Sequence, residues 1–183
     1  RLIDLKRDVA PLARAAVGRA LGLFTIDDLP ADSRKGVSVI VRDGVKLPDI
    51  DWVSISEGKF IYGDDNKKDY PSYAQPANKQ ILTLPAFQIS RYLITYAHFQ
   101  AFIDAPDGWS NPEWWEGLSA SDEHKAQPDE QWFKFWNHPR ERVSWYDAVA
   151  FCRWLSANLG YTVTLPTEQQ YERVARWIDG RIY

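Results

Sequence analysis

Methionine is absent from these 183 residues, cysteine occurs once, and histidine occurs three times. A single thiol, Cys152, can form neither an internal disulfide nor a thiolate cage for a metal. His98, His124 and His138 are too far apart for any two to share one turn of a helix, the spacing a helical metal site uses. Positive charge is not in excess either. Against 25 acidic residues stand 22 basic ones, a net charge of -3, which leaves no basic footprint for nucleic acid. No apolar run nears the ~18 residues a membrane helix needs. The charged start, Arg1 to Asp8, has no apolar signal-peptide core. Gly-rich phosphate loops and nucleophile elbows are missing as well. The expectation is a cytoplasmic protein that engages neither membrane nor nucleic acid. The want of even an initiator methionine is expected of a piece of a longer chain.

What is present is a globular composition, with 45% hydrophobic and 26% charged residues. This length suggests one domain with an appended segment. Tryptophan is abundant: of nine in the chain, six fall between Trp109 and Trp145.

Residues 1–48 read as an N-terminal helix and linker. Asp8 can cap the helix, Pro11 suits its first turn and Gly22 can end it. Leu12, Ala16, Ala20 and Phe24 form a modest apolar stripe along it. Pro30, Gly36, Gly44 and Pro48 give the following stretch linker character, with one strand expected near Val37 to Val41. The domain proper is expected over 49–183. Trp52 to Ile55 and Lys59 to Tyr62 read as a β-hairpin turning at Gly58. Ile81 to Ile89 alternates as a strand, with Pro85 marking an edge or a bulge. Three helices follow. Thr95 is positioned to cap Tyr96 to Asp104, and Ser144, with Asp147 three residues on, to cap Trp145 to Asn158, which Gly160 stops. Thr167 and Gln170 form a capping box for a helix running to Ile178.

Cys152 lies on the apolar face of the helix that Ser144 caps, between Phe151 and Leu155. A thiol so placed is expected to be a small hydrophobe and inert. His98 is expected at a surface or boundary position, and His138, before Pro139, in an extended loop. Glu113, Glu116, Asp122, Glu123, Asp129 and Glu130 cluster around the tryptophans, but an acidic loop yields carboxylate pairs without any catalytic meaning. The segment from Gly108 to Arg142 has two compatible readings. Its large aromatics anchor a loop-rich insertion, or they form a binding surface made of Trp109, Trp114, Trp115, Trp132 and Trp136. No catalytic or metal-binding residue is assigned.

Several stretches together carry a resemblance: Trp52-Val53-x-Ile55-x-x-Gly58-x-Phe60-x-x-Gly63, Phe87-x-Ile89-x-Arg91-Tyr92-x-Ile94-Thr95, and Asn111-Pro112-x-Trp114-Trp115. Two longer ones follow, from His138-Pro139 through Val143-Ser144-Trp145-Tyr146-Asp147-Ala148 to Trp154-Leu155, and Leu165-Pro166-Thr167-Glu168-x-x-Tyr171-Glu172-x-x-Ala175-Arg176. In this order they resemble the formylglycine-generating enzyme, or sulfatase-modifying factor, family over about Asp49 to Tyr183. Thr164, Tyr171 and Gln169-Gln170 depart from that family's pattern, which usually has Arg, Trp and a small-acidic pair there.

The resemblance implies an α+β fold of the C-type lectin-like kind, rich in irregular structure, with a small twisted antiparallel sheet and flanking helices. In the family's enzymes, the copper-binding cysteine pair and the substrate cleft lie after the Leu165-Pro166-Thr167-Glu168 motif. The related iron-dependent sulfoxide synthases need a histidine cluster that is not found here. The expectation is therefore an incomplete fold with no cofactor of its own. Copper or calcium would come only through residues after Tyr183, and a C-terminal continuation or cleaved second segment would complete the core. Two functions follow. The first is a non-catalytic ligand-binding or display module, as in the bacterial variable proteins of diversity-generating retroelements. The alternative is a formylglycine-generating oxidase that modifies a substrate cysteine.

Overall fold

All three expected helix starts form in the computed structural model, which describes residues 10–66, 68, 71, 72, 76–119 and 126–181. The hydroxyls of Thr95, Ser144 and Thr167 accept from the amides of His98, Asp147 and Gln170 at 3.3, 3.1 and 3.2 Å. The side chains of those third residues accept from the cap amides in return. Each exchange satisfies amides that a helix start would otherwise leave without partners. The architecture is α+β, with α-helices and two-stranded ladders among the described residues. The chain divides into two compact units, Arg1–Asp51 with Ser90–Leu165, and Trp52–Ile89 with Pro166–Tyr183.

The first unit opens with α1 (Pro11–Leu23), Pro11 standing in its first turn. Its cap position is Ala10, which makes no side-chain bond; Asp8 lies outside the described residues. The expected apolar stripe is corrected here, because Leu12, Ala16, Ala20 and Phe24 are all exposed. The docked edge carries Gly18 and Gly22 instead. Asn137 Nδ2 donates to the Gly18 carbonyl at 2.8 Å, and the Trp136 amide donates to that of Gly22 at 2.7 Å. A Cβ on Gly22 would fall 2.2 Å from Asn137 Oδ1, so this glycine permits close approach and does not end the helix. Asn137 also donates to the buried Asp32 at 2.7 Å, and Arg34 Nε donates to the same carboxylate at 2.8 Å. Burial pushes the Asp32 carboxyl up, but the bonds from Arg34 and Asn137 outweigh it and hold the group below its ordinary value.

After a short ladder of β1 (Thr25–Ile26) and β2 (Leu29–Pro30), the stretch expected to hold one strand forms a hairpin of β3 (Val39–Arg42) and β4 (Val45–Pro48). Asp43 and Gly44 close it with φ of 51° and 80°, the left-handed pair that a two-residue hairpin turn requires. Val37, Val39 and Leu47 are buried, and the hairpin packs on α2 (Tyr96–Asp104). Beyond a 3₁₀ turn at Pro112–Trp115, α3 (Trp145–Leu159) ends as expected at Gly160, whose φ is 75°. Phe99 and Phe102 of α2 meet Phe151 and Trp154 of α3 at ring separations of 5.4 to 5.9 Å, forming the centre of the core. Thr162 to Thr164 do not pair as a strand. The backbone there is tied to α3, since the Ser156 hydroxyl accepts from the Val163 amide at 2.8 Å.

In the second unit, β5 (Trp52–Ile55) and β6 (Gly58–Tyr62) do not pair with each other. β5 pairs with β8 (Phe87–Ser90), and β6 runs antiparallel to β7 (Gln80–Leu84), from Gly58↔Leu84 to Tyr62↔Gln80. The expected hairpin fails because neither linking residue, Ser56 or Glu57, takes a positive φ, and without one the strand continues in place of turning back. The expected strand over Ile81 to Ile89 is likewise two segments. They break at Pro85, which has no amide to give to a ladder. The helix α4 (Glu168–Arg176) lies on β6 and ends before Trp177, two residues short of the expected Ile178.

Candidate functional site

The segment from Gly108 to Arg142, where aromatic and acidic residues concentrate, divides in two. The first half is anchored. Gly108 turns tightly against the end of α2, where a Cβ would meet the Phe102 carbonyl at 1.9 Å, and the Trp109 amide donates to that same carbonyl at 3.0 Å. Trp109 and Trp115 are each 5% exposed and meet edge to face at 4.9 Å. The indole of Trp115 donates to the Trp109 carbonyl at 3.0 Å, and Trp114 donates to that of Asp107. Arg153 of α3 locks the outer side by donating to the carbonyls of Trp114 and Glu116 at 2.9 and 2.8 Å. These contacts leave an open groove of about 720 Å³, lined by Trp109, Asn111, Pro112, Trp115 and Leu118, with Glu113 and Glu116 among its polar residues.

The second half is a built loop. Gln131 is buried and uses its whole amide: Nε2 donates to the carbonyls of Phe133 and Pro139, and Oε1 accepts from Arg140 and from the Glu141 amide, all at 3.1 to 3.2 Å. Glu141 takes the amides of Trp132 and Phe133 at 3.0 and 2.7 Å. The loop then covers the start of α2, whose Tyr96 and Ala97 amides donate to the His138 and Trp136 carbonyls at 2.8 and 2.9 Å. Trp136 is half-buried and stacks on Tyr96 at 4.8 Å. Trp132 is 70% exposed, with the Arg142 guanidinium 5.2 Å from its ring centre. Of the five candidate tryptophans, Trp109, Trp114 and Trp115 come together in the first half and are buried, whereas Trp132 and Trp136 belong to the loop of the second. Sequence reasoning misses Gln131 and Glu141, since nothing in their spacing marks them.

Glu113 and Glu116 are exposed. Asp129 pairs with Arg142 at 3.5 Å, and Glu130 pairs with Lys134. Asp122, Glu123 and His124 lie outside the described residues. Cys152 is buried, and that burial pushes its thiol up to about 11, where almost no thiolate exists at neutral pH. His98 corrects the expectation of a surface position: it is 1% exposed. Its Nδ1 accepts from the Thr95 amide at 3.2 Å. The proton of the neutral ring therefore sits on Nε2, beside the Ser38 backbone without good hydrogen-bond geometry. Burial pulls this imidazole down to about 4. His138 stacks on Phe135 at 4.5 Å.

Copper or iron, the metals the family resemblance implies, finds no fit in this donor set. No group of three or more His, Cys, Asp or Glu among the described residues could hold a metal. The described cysteine and histidines are each committed to packing or capping.

Comparison with known proteins gives a consistent result. The family described as "Sulfatase-modifying factor enzyme 1-like domain" matches residues 39–181. The hercynine oxygenase of Mycolicibacterium smegmatis is 25% identical over 142 residues, which cover 68% of this chain and 31% of that protein. The formylglycine-generating enzyme of Mus musculus is 25% identical over 153 residues, 68% of this chain and 39% of that protein. That of Thermomonospora curvata is 26% identical over 152 residues, 68% and 48%. The chain spans about a third of the length of the first two of these relatives.

Proposed function

The chain belongs to the sulfatase-modifying factor enzyme 1-like family, and from that premise we propose that it is the scaffold portion of an oxidising enzyme of this family. Of the two functions that follow from the sequence, the relatives favour the oxidase over the display module. Those that match are named for enzymes, formylglycine-generating enzyme and hercynine oxygenase. That agreement carries the reading.

The packing supports it. A display surface needs its aromatic residues outward, yet three of the five candidate tryptophans, Trp109, Trp114 and Trp115, are buried and hold the groove wall in place, and Trp132 alone of the five is exposed. Gln131 and Glu141 serve the same end in the loop over α2, where they fix backbone. Both features are what a site built elsewhere in the protein requires of its support, since reactive groups must be held by residues that are themselves locked. The finer fold assignment, a C-type lectin-like domain, belongs to the same proposal. No step of the reaction is assigned to a residue of this chain, and no step through a metal is derived from it.

The two kinds of relative are named for different chemistry, so the proposal is a reaction class: oxidation at a cysteine-bearing peptide or at hercynine. The test is to incubate the whole protein that carries this chain with each compound in air and follow the substrate by mass spectrometry. The expected result is conversion of one of them to an oxidised product. Binding of either without turnover, under copper and under iron, would favour the display module instead.

A further inference from the structure

Arg173 of α4 is 5% exposed, and no ion pair or hydrogen bond joins its Nε or Nη1 to any described residue. Its guanidinium lies over two rings, 5.8 Å from the centre of Phe60 and 5.6 Å from that of Trp177. Those rings attract the positive charge. They do nothing for its N–H donors, which point outward in the guanidinium plane. Arginine cannot relieve the cost by giving up its proton, and a buried charge without a partner is expensive.

Three acids of this unit are already engaged. Glu172 accepts from the Gly63 amide and from Arg176 Nη1, both at 2.7 Å, and Glu168 faces the Tyr62 hydroxyl. Asp179 is held by Arg181 at 2.9 Å. Arg176, one turn from Arg173, shows what a satisfied guanidinium looks like here, donating also to the carbonyls of Gly63 and Gly180 at 2.9 and 2.7 Å.

There is an approach to the unsatisfied one. A Cβ built on Gly58 would have a single neighbour within 4 Å, Arg173 Nη2 at 3.8 Å. The missing side chain at Gly58 therefore leaves room for a small group beside Nη2, the nitrogen that shares an edge of the guanidinium with each of the two unpartnered ones, on a strand where a larger residue would be expected. Gly58 has no positive φ to explain its identity. The neighbouring Trp177 is half-exposed and carries a φ of 57° with ψ of -150°, a conformation that side chains rarely adopt and that persists only where the surroundings enforce it.

We propose that Arg173 is the seat of a carboxylate-binding site, entered over Gly58 and flanked by Phe60 and Trp177. A carboxylate suits it because the group is planar and presents two oxygens in the plane of the guanidinium donors. The same chemistry can arrive as a small free carboxylate or as an Asp or Glu side chain of a polypeptide laid against α4 and β6. This site is independent of the oxidative reaction and stands or falls separately from it.

The experiment is a titration of the full chain, labelled with nitrogen-15, following the Arg173 Nε–H resonance as assigned by its loss in Arg173→Lys. The titrants are sodium acetate, sodium phosphate and the blocked peptide acetyl-Leu-Asp-Leu-amide, each at constant ionic strength against sodium chloride. A saturable shift with acetate is expected, absent with chloride. It should disappear in Gly58→Val, which fills the entry while the remaining amide spectrum stays in place. Saturation at tenfold lower peptide than acetate identifies a polypeptide acid as the occupant; equal or weaker peptide binding identifies a small carboxylate. No saturable shift with acetate or peptide, a response to phosphate alone, or a response that survives in Gly58→Val would overturn the proposal.

Discussion

His98 makes a pH-dependent contribution to stability that can be isolated by one substitution. In the folded chain its imidazole is pulled down to about 4 by burial, against 6.5 when unburied. The folded state therefore holds this side chain neutral while the unfolded state binds a proton over the interval between those values. Stability rises with pH wherever the unfolded state binds more protons. The contribution is thus complete above about pH 6.5 and is lost as pH falls toward about 4. By pH 5 the loss is about 2 kcal/mol, and at full extent about 3 kcal/mol, since each tenfold change in proton affinity is worth ~1.4 kcal/mol. Protonation also removes an acceptor, since Nδ1 takes the Thr95 amide in the capping box. Glutamine at the third helical position can make the same return bond without titrating. His98→Gln should therefore lose about 1–2 kcal/mol of packing at pH 7.5, yet fall less steeply as the pH drops. Urea midpoints at half-unit steps from pH 7.5 to 4.5 read the difference. Asp32 is held below its ordinary value, so its stabilisation is lost only as pH falls further, and it does not contaminate the comparison. Parallel curves for the two proteins would refute the reasoning.

Three further outcomes follow from the packing. Cys152 should resist thiol reagents under native conditions and react quickly only in denaturant; fast native labelling would contradict its burial and its raised pKa. Ser144→Ala should cost about 1 kcal/mol in chemical unfolding, because it removes the 3.1 Å bond to the Asp147 amide. Gly108→Ala should cost about 3 kcal/mol or more, since its Cβ would meet the backbone oxygen of Phe102 at 1.9 Å and only backbone movement can relieve that. A thermal melt within a degree or two of the parent would show the turn to be looser than described.

Legibility in the sequence follows the range of the interactions. Helix starts are local, so Thr95, Ser144 and Thr167 can be read from spacing alone, as can the stop at Gly160. The hairpin at Asp43-Gly44 is also local, but its turn signal is masked by the linker composition around it. Strand pairing is not local. Trp52 to Tyr62 looks like a hairpin because Gly58 follows two polar residues, yet the partners of β5 and β6 lie beyond an intervening loop, on either side of Pro85. The docking of α1 escapes a reading of apolar spacing, because close approach at Gly18 and Gly22 matters more there. His98 looks amphipathic and exposed, and only its return bond to Thr95 explains a buried imidazole. Gln131 and Arg173 carry no motif at all. Their roles come from what tertiary packing places around them.

The proposed oxidising activity is tested most directly by oxygen consumption in the whole protein that carries this chain. Copper or iron is supplied in turn, with a cysteine-bearing peptide or hercynine as substrate. The predicted result is substrate-dependent oxygen uptake well above that of the metal and substrate alone. Uptake no greater than that background for every combination, from a protein shown to be folded by the cooperative urea transition, would contradict the claim.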